Sequence, residues 1–122
     1  EEIVVSNREL TSTRIQNFKK MQKRRIVFGF GVTYETSQGK LKEIPKMVKE
    51  VVGSIKGTRF DRAHFKEFAD SSLNFEVVYY VEDRDYTKYM NVNQDIHFKL
   101  KGRFEKAGIS MAYPTQTIYM KK

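Results

Sequence analysis

The sequence predicts an α+β fold, a ferredoxin-like βαββαβ sandwich whose four-stranded antiparallel sheet carries two helices on one face. Three observations predict it. Apolar residues alternate over 26–34 and over 73–81, the period of a strand. They recur at steps of three and four over 41–55 and 89–107, the period of an amphipathic helix. From Ile26 onward the order is strand, helix, strand, strand, helix, strand, with no internal repeat.

In the first strand Ile26, Phe28, Phe30, Val32 and Tyr34 form one apolar set, opposed by Val27, Gly29, Gly31 and Thr33. That set is expected beneath the helices. After "ETSQG", the helical set is Leu41, Ile44, Val48, Val51, Val52 and Ile55. Proline breaks a helix interior, so Pro45 predicts an irregular first turn and a regular helix from near Ile44, ending between Gly53 and Gly57. Phe65 and Phe68 suggest a short second strand, and "ADSSLN" a turn in which Asp70, Ser71 and Ser72 bond the local backbone. Leu73, Phe75, Val77, Tyr79 and Val81 then alternate as the return strand of a hairpin, leaving Val78 and Tyr80 on the open side for an interface. Tyr89, Val92, Ile96, Leu100, Phe104 and Ala107 mark the second helix, with Gly108 at its C-cap. "ISMAYP" and "TQTIYM" supply a last strand interrupted at Pro114, expected at an edge or bend.

Residues 1–25 fall outside this unit. "EIVVSNREL" reads as the last strand of an earlier domain and "TSTRIQNFKKMQKRR" as a polar connector, so the expected division is 1–25 and 26–122, in a chain continuing a longer protein. The net charge of +8 is densest in this connector, where residues 1–25 hold seven Lys/Arg against three Glu. Lys19, Lys20, Lys23, Arg24 and Arg25 form a cationic run suited to phosphate, anionic lipid or plain solvation. No apolar run is long enough to cross a bilayer, and without cysteine there is no disulfide, thiolate metal site or cysteine nucleophile.

"IVFGFGV" raises a nucleic-acid reading, because RNA-recognition domains share this topology and stack bases on aromatics of a Gly-Phe-Gly strand. Here Phe28 takes the basic position and Thr33 the valine position, and the stretch lies on strand one. Its rings are also on the face expected to be covered, so nucleic acid is not the expected partner. A stand-alone nucleic-acid-binding domain is the alternative reading. Catalysis has thin support. His64 and His97 lie on different elements with no matched carboxylate, "GSIKGT" lacks phosphate-loop spacing, and no G-x-S-x-G elbow exists. No enzyme activity, metal or cofactor is expected.

The ordered set of Val32-Thr33-Tyr34, Leu41 with Ile44-Pro45, Phe68 with Asp70-Ser71-Ser72 and Asn74, Phe104-Glu105 with Ala107-Gly108-Ile109, and Tyr113-Pro114 resembles the cytoplasmic C-terminal region of the small-conductance mechanosensitive channel (MscS) family. "IVVSNREL" is similar to the last strand of that family's middle β domain, although Ser6 stands where its proline is usual. The resemblance implies a vestibule domain on the cytoplasmic side of a bacterial inner membrane. Its partners would be identical subunits in a heptamer, the membrane through upstream pore helices, and inorganic ions and solutes released in hypo-osmotic shock. It implies structural roles for Tyr34, Pro45, Phe68, Asp70, Ser71, Ser72, Asn74, Gly108 and Pro114. It also implies that Lys19, Lys20, Lys23, Arg24 and Arg25 join the two cytoplasmic domains and face lipid, a neighbouring subunit or the ion path. Without pore helices and the terminal barrel strand, the 122-residue chain is expected not to conduct and to be a monomer or weak oligomer.

Overall fold

A computed structural model describes residues 23–113. The elements are β1 (Arg24–Val32), α1 (Gln38–Gly53), β2 (Thr58–Phe68), β3 (Leu73–Val81) and α2 (Tyr86–Ala107). The strands form an antiparallel sheet in the order β1-β3-β2. β3 therefore lies at its centre.

Alternation on β3 sets the layers. Leu73, Phe75, Val77, Tyr79 and Val81 are buried in one core with Ile44, Val48, Val51 and Val52 of α1 and Ile96, Leu100 and Phe104 of α2. Fully burying a side chain of this size contributes about 1.5–3 kcal/mol each, so this face holds the domain together. Phe28 and Phe30 lie on the same side, opposite Val77 and Phe75 in register, as the alternation predicts. Phe30 stacks on Phe75 with centroids 5.5 Å apart and meets Phe104 at 5.3 Å. The Tyr79 hydroxyl, buried in this layer, donates to Asn93 Oδ1 at 2.8 Å. Burial, with the neighbouring Tyr89, pushes its phenol far above the ordinary tyrosine range.

Several expectations are corrected. α1 begins at Gln38, not near Ile44, because Ser37 caps it by accepting the Lys40 amide at 3.3 Å. Pro45 sits inside the helix, where the lost backbone bond costs about 3 kcal/mol and is offset by burying Ile44 and Val48 on either side of it. β2 is a long strand of eleven residues instead of a short one. Its register slips between Phe60 and Arg62 and between Phe65 and Glu67, so Phe60, Ala63, Phe65 and Phe68 share the core side without a strict period of two. β1 ends at Val32, and Tyr34 is exposed instead of lying on the covered face. Val78, expected on an open interface, is fully buried between its register neighbours Val27 and Arg62.

α2 and its C-cap match the sequence reading, and Asp85 adds the N-cap. Asp85 accepts the Lys88 amide at 3.2 Å, and Gly108 takes the left-handed conformation (φ 75°) that closes the helix. Of the predicted last strand, an antiparallel bridge between Val32 and Met111 lies within the described residues. It is held by Thr33 N–H to the Ser110 carbonyl (3.0 Å) and Ala112 N–H to the Gly31 carbonyl (2.9 Å). Pro114 and residues 1–22, which hold the expected β-domain strand and most of the connector with Lys19 and Lys20, lie outside the described residues.

Candidate functional site: two poles of the sheet

Residues singled out in four separate stretches converge at one end of the sheet, where β1 ends, α1 begins, the β2–β3 turn closes and α2 stops. The Tyr34 hydroxyl donates to the Ala69 carbonyl, and Ala69 N–H donates to the Ser72 carbonyl at 2.8 Å. The Ser72 hydroxyl donates to Asn74 Oδ1 at 2.6 Å, and Asn74 Nδ2 donates to Glu67 Oε2 at 3.3 Å. This corrects the expected turn chemistry. Among the described residues Asp70 and Ser71 make no side-chain hydrogen bond and stand exposed, while Tyr34 and Ser72 do the tying.

Gly31 lies beneath this knot, in register with Asn74. A Cβ there would stand 2.8 Å from Ser72 Cβ and 3.0 Å from Asn74 Oδ1, so only glycine admits the turn at this distance. The close approach at Gly31 thus comes from the protein's own hairpin. On the helix side, Lys40 Nζ donates to the Gly108 carbonyl at 3.3 Å, joining the start of α1 to the end of α2. Gln38, Leu41, Lys42, Pro45 and Phe65 line an open, mostly apolar groove of about 400 Å³.

The aromatic rings at this pole form a row from core to surface. Phe75 stacks on Phe65 (5.2 Å), Phe65 meets Phe68 edge-on (5.2 Å), and Phe68 stacks on Tyr34 (6.5 Å). Phe68 is 74% exposed, which makes the row end in an apolar surface.

The opposite pole carries the end of the cationic run. Arg24 is half-buried: its guanidinium donates to the Arg84 carbonyl at 3.0 Å and lies over the rings of Tyr86 (5.7 Å) and Tyr89 (5.5 Å). Its charge is committed to packing. Arg25, Tyr80 and Arg59 form one row across the three strands, and Lys23 and Arg59 each place a cation 5.4 Å from the Tyr80 ring. Sequence reasoning missed Arg59 and the tyrosine partners, since strand pairing with β3 brings together residues more than twenty positions apart.

Between the poles the open face is laced with charges. Arg62 and Lys66 approach Glu76 at 3.3 and 3.5 Å, and although burial acts to raise it, these cations hold the Glu76 carboxyl below the usual range. A polar-lined hollow of about 420 Å³ lies over Gly29 and Gly31. His64 is exposed in register with Glu76, whose carboxylate pairs with Arg62 and Lys66, and His97 Nδ1 donates to the Asn93 carbonyl at 2.6 Å with its ring 4.9 Å from Phe28. Phe28 and Phe30 are turned toward α2, with Gly29 and Gly31 toward the open side, so the stacking face of an RNA-recognition domain is not reproduced. Among the described residues no group of three metal-ligating side chains stands together and no helix is long and apolar enough to cross a membrane.

The family described as Mechanosensitive ion channel MscS, C-terminal, matches residues 26–111. The chain is 38% identical over 121 residues to the small-conductance mechanosensitive channel MscMJ of Methanocaldococcus jannaschii, covering 98% of this chain and 35% of that protein. It is 34% identical over 125 residues to the large-conductance channel MscMJLR of the same organism, covering 98% of this chain and 35% of that one. The crystal structure of Helicobacter pylori MscS in its closed state shares the fold with a TM-score of 0.60 at 22% identity, over 83% of this chain and 39% of that one. The chain therefore belongs to the MscS family of mechanosensitive channels, whose C-terminal region it contains. It spans about a third of the length of the curated relatives it matches.

Proposed function

We propose that this chain is the cytoplasmic vestibule domain of an MscS-like channel, a structural and assembly module without catalytic activity that walls the ion path of a channel releasing solutes in hypo-osmotic shock. The match of residues 26–111 to the family's C-terminal region carries this reading. Its partners are identical subunits, in a heptamer on the cytoplasmic side of a bacterial membrane. Residues 1–25 end the middle β domain and connect it to the α/β unit. The bridge at Met111 supports a fourth strand beside β1, as the ferredoxin-like arrangement requires.

Of the five cations proposed to line the path, Arg24 is spent on Tyr86 and Tyr89. This leaves Lys19, Lys20, Lys23 and Arg25 as lining groups that enrich anions in the vestibule by long-range attraction. The test is expression of the full-length channel carrying this region in a bacterium stripped of its own tension-gated channels. Survival of hypo-osmotic shock is the expected result, and lysis at the rate of the empty strain would reject the reading.

A further inference from the structure

We propose that the aromatic pole of one copy of this chain seats against the cationic pole of a second copy, head to tail. The proposal deepens the assembly reading above, on which it rests for the identity of the partner.

The aromatic pole is built as an anchor. Tyr34, Phe65 and Phe68 are 48%, 37% and 74% exposed, yet they are stacked in a row rooted on buried Phe75, and the Tyr34 hydroxyl is tied to Ala69. Rings already fixed in place lose little conformational freedom when a partner covers them. Their rim is acidic. Glu35, Glu67 and Asp70 are exposed, and none has an ion-pair partner among the described residues.

The cationic pole complements this surface. Arg25 and Arg59 are exposed and likewise form no ion pair among the described residues, and Arg59 rests with Lys23 on the Tyr80 ring. Arginine stacks on exposed rings and pairs with carboxylates, so Arg25 and Arg59 match both the apolar centre and the acidic rim of the other end. The two surfaces lie at opposite ends of β3, a separation of about 30 Å for nine extended residues. A contact between different surfaces at opposite ends is heterologous: it propagates from copy to copy and closes into a ring when the rotation allows, whereas a pole packing on itself stops at a dimer.

The chain has no cysteine, so cross-linking tests the geometry directly. Cysteines are placed at exposed Ser71, beside the aromatic row, and at exposed Lys56, beside Arg59. Mild oxidation of the Ser71→Cys/Lys56→Cys chain is expected to give a ladder of dimers, trimers and higher species, and each single-cysteine chain to remain monomeric. Adding Glu67→Lys with Asp70→Lys should cut the ladder about tenfold, and further adding Arg25→Glu with Arg59→Glu should restore it, which a purely structural effect would not do. Phe68→Ser should also remove the ladder while lowering the thermal midpoint by only about a few degrees, so that the chain stays folded at the assay temperature. A ladder no stronger than the single-cysteine background, dimers from Ser71→Cys alone, or no rescue by the second pair of reversals would each overturn the proposal. Osmotic survival with no ladder rejects the contact and leaves the channel reading standing; a ladder with no survival does the reverse.

Discussion

The two ends of the sheet are built from similar materials and put them to different uses. At the aromatic pole, short polar side chains knot the backbone and the rings are left to solvent, Phe68 most of all. At the cationic pole, the rings are covered by guanidinium and ammonium groups: Arg24 over Tyr86 and Tyr89, Lys23 and Arg59 over Tyr80. A basic run therefore cannot be read as a uniform patch. Arg24 and Arg25 are adjacent in sequence, but strand alternation sends one into packing and the other into solvent.

The aromatic pole is most vulnerable at the root of its row of rings. Phe75→Ala removes a fully buried ring that supports both Phe30 and Phe65, and should destabilise the domain by about 3–5 kcal/mol in urea unfolding. Gly31→Ala comes next: its Cβ meets Ser72 at 2.8 Å, and overpacking of this kind costs about 1–3 kcal/mol. Tyr34→Phe deletes only the hydroxyl bond to Ala69 and should cost about 1 kcal/mol while leaving the ring stack in place. At the other pole, Arg24→Ala should cost about 1–2 kcal/mol through two ring contacts, whereas Arg25→Ala should change stability by less than about 0.5 kcal/mol. Equal effects at Arg24 and Arg25 would erase the distinction drawn between them.

Acid provides the gentlest probe. Asp83, held by the Asp85 backbone N–H and by Lys88, and Glu76, held against the effect of burial by Lys66 and Arg62, both have carboxyl pKa values below the usual range in the folded chain. Their unfolded values lie near about 4, so their contribution is present above that pH and is lost as pH falls through the lower folded values. The urea midpoint should therefore decline below about pH 4, and less steeply in Glu76→Gln. An unaltered slope in that variant would show that Glu76 is not involved.

Much of the fold was legible because periodicity and packing agree. The alternating β3 and the stepped apolar residues of α2 form the buried layer predicted for them, and Gly108 caps α2. β2 was harder to see, since two register slips put Phe60, Ala63, Phe65 and Phe68 on one side at uneven spacing. The start of α1 was misplaced because Pro45 suggested a boundary that the burial of Ile44 and Val48 overrides. The site was legible as separate names and not as a place. Tyr34, Ser72, Asn74 and Gly108 carried the family resemblance, but their convergence, and the role of Gly31 beneath Ser72, depend on strand register. The pairing of Arg59 with Tyr80 had no local signal at all.

If this domain stands around an ion path, as proposed, ion preference reports it directly. In patches holding the full-length channel under tension and a salt gradient, Lys19→Glu, Lys20→Glu and Lys23→Glu together should move the reversal potential toward cations while tension-gated openings persist. Openings with an unmoved reversal potential would place these charges away from the permeating ions and contradict the account.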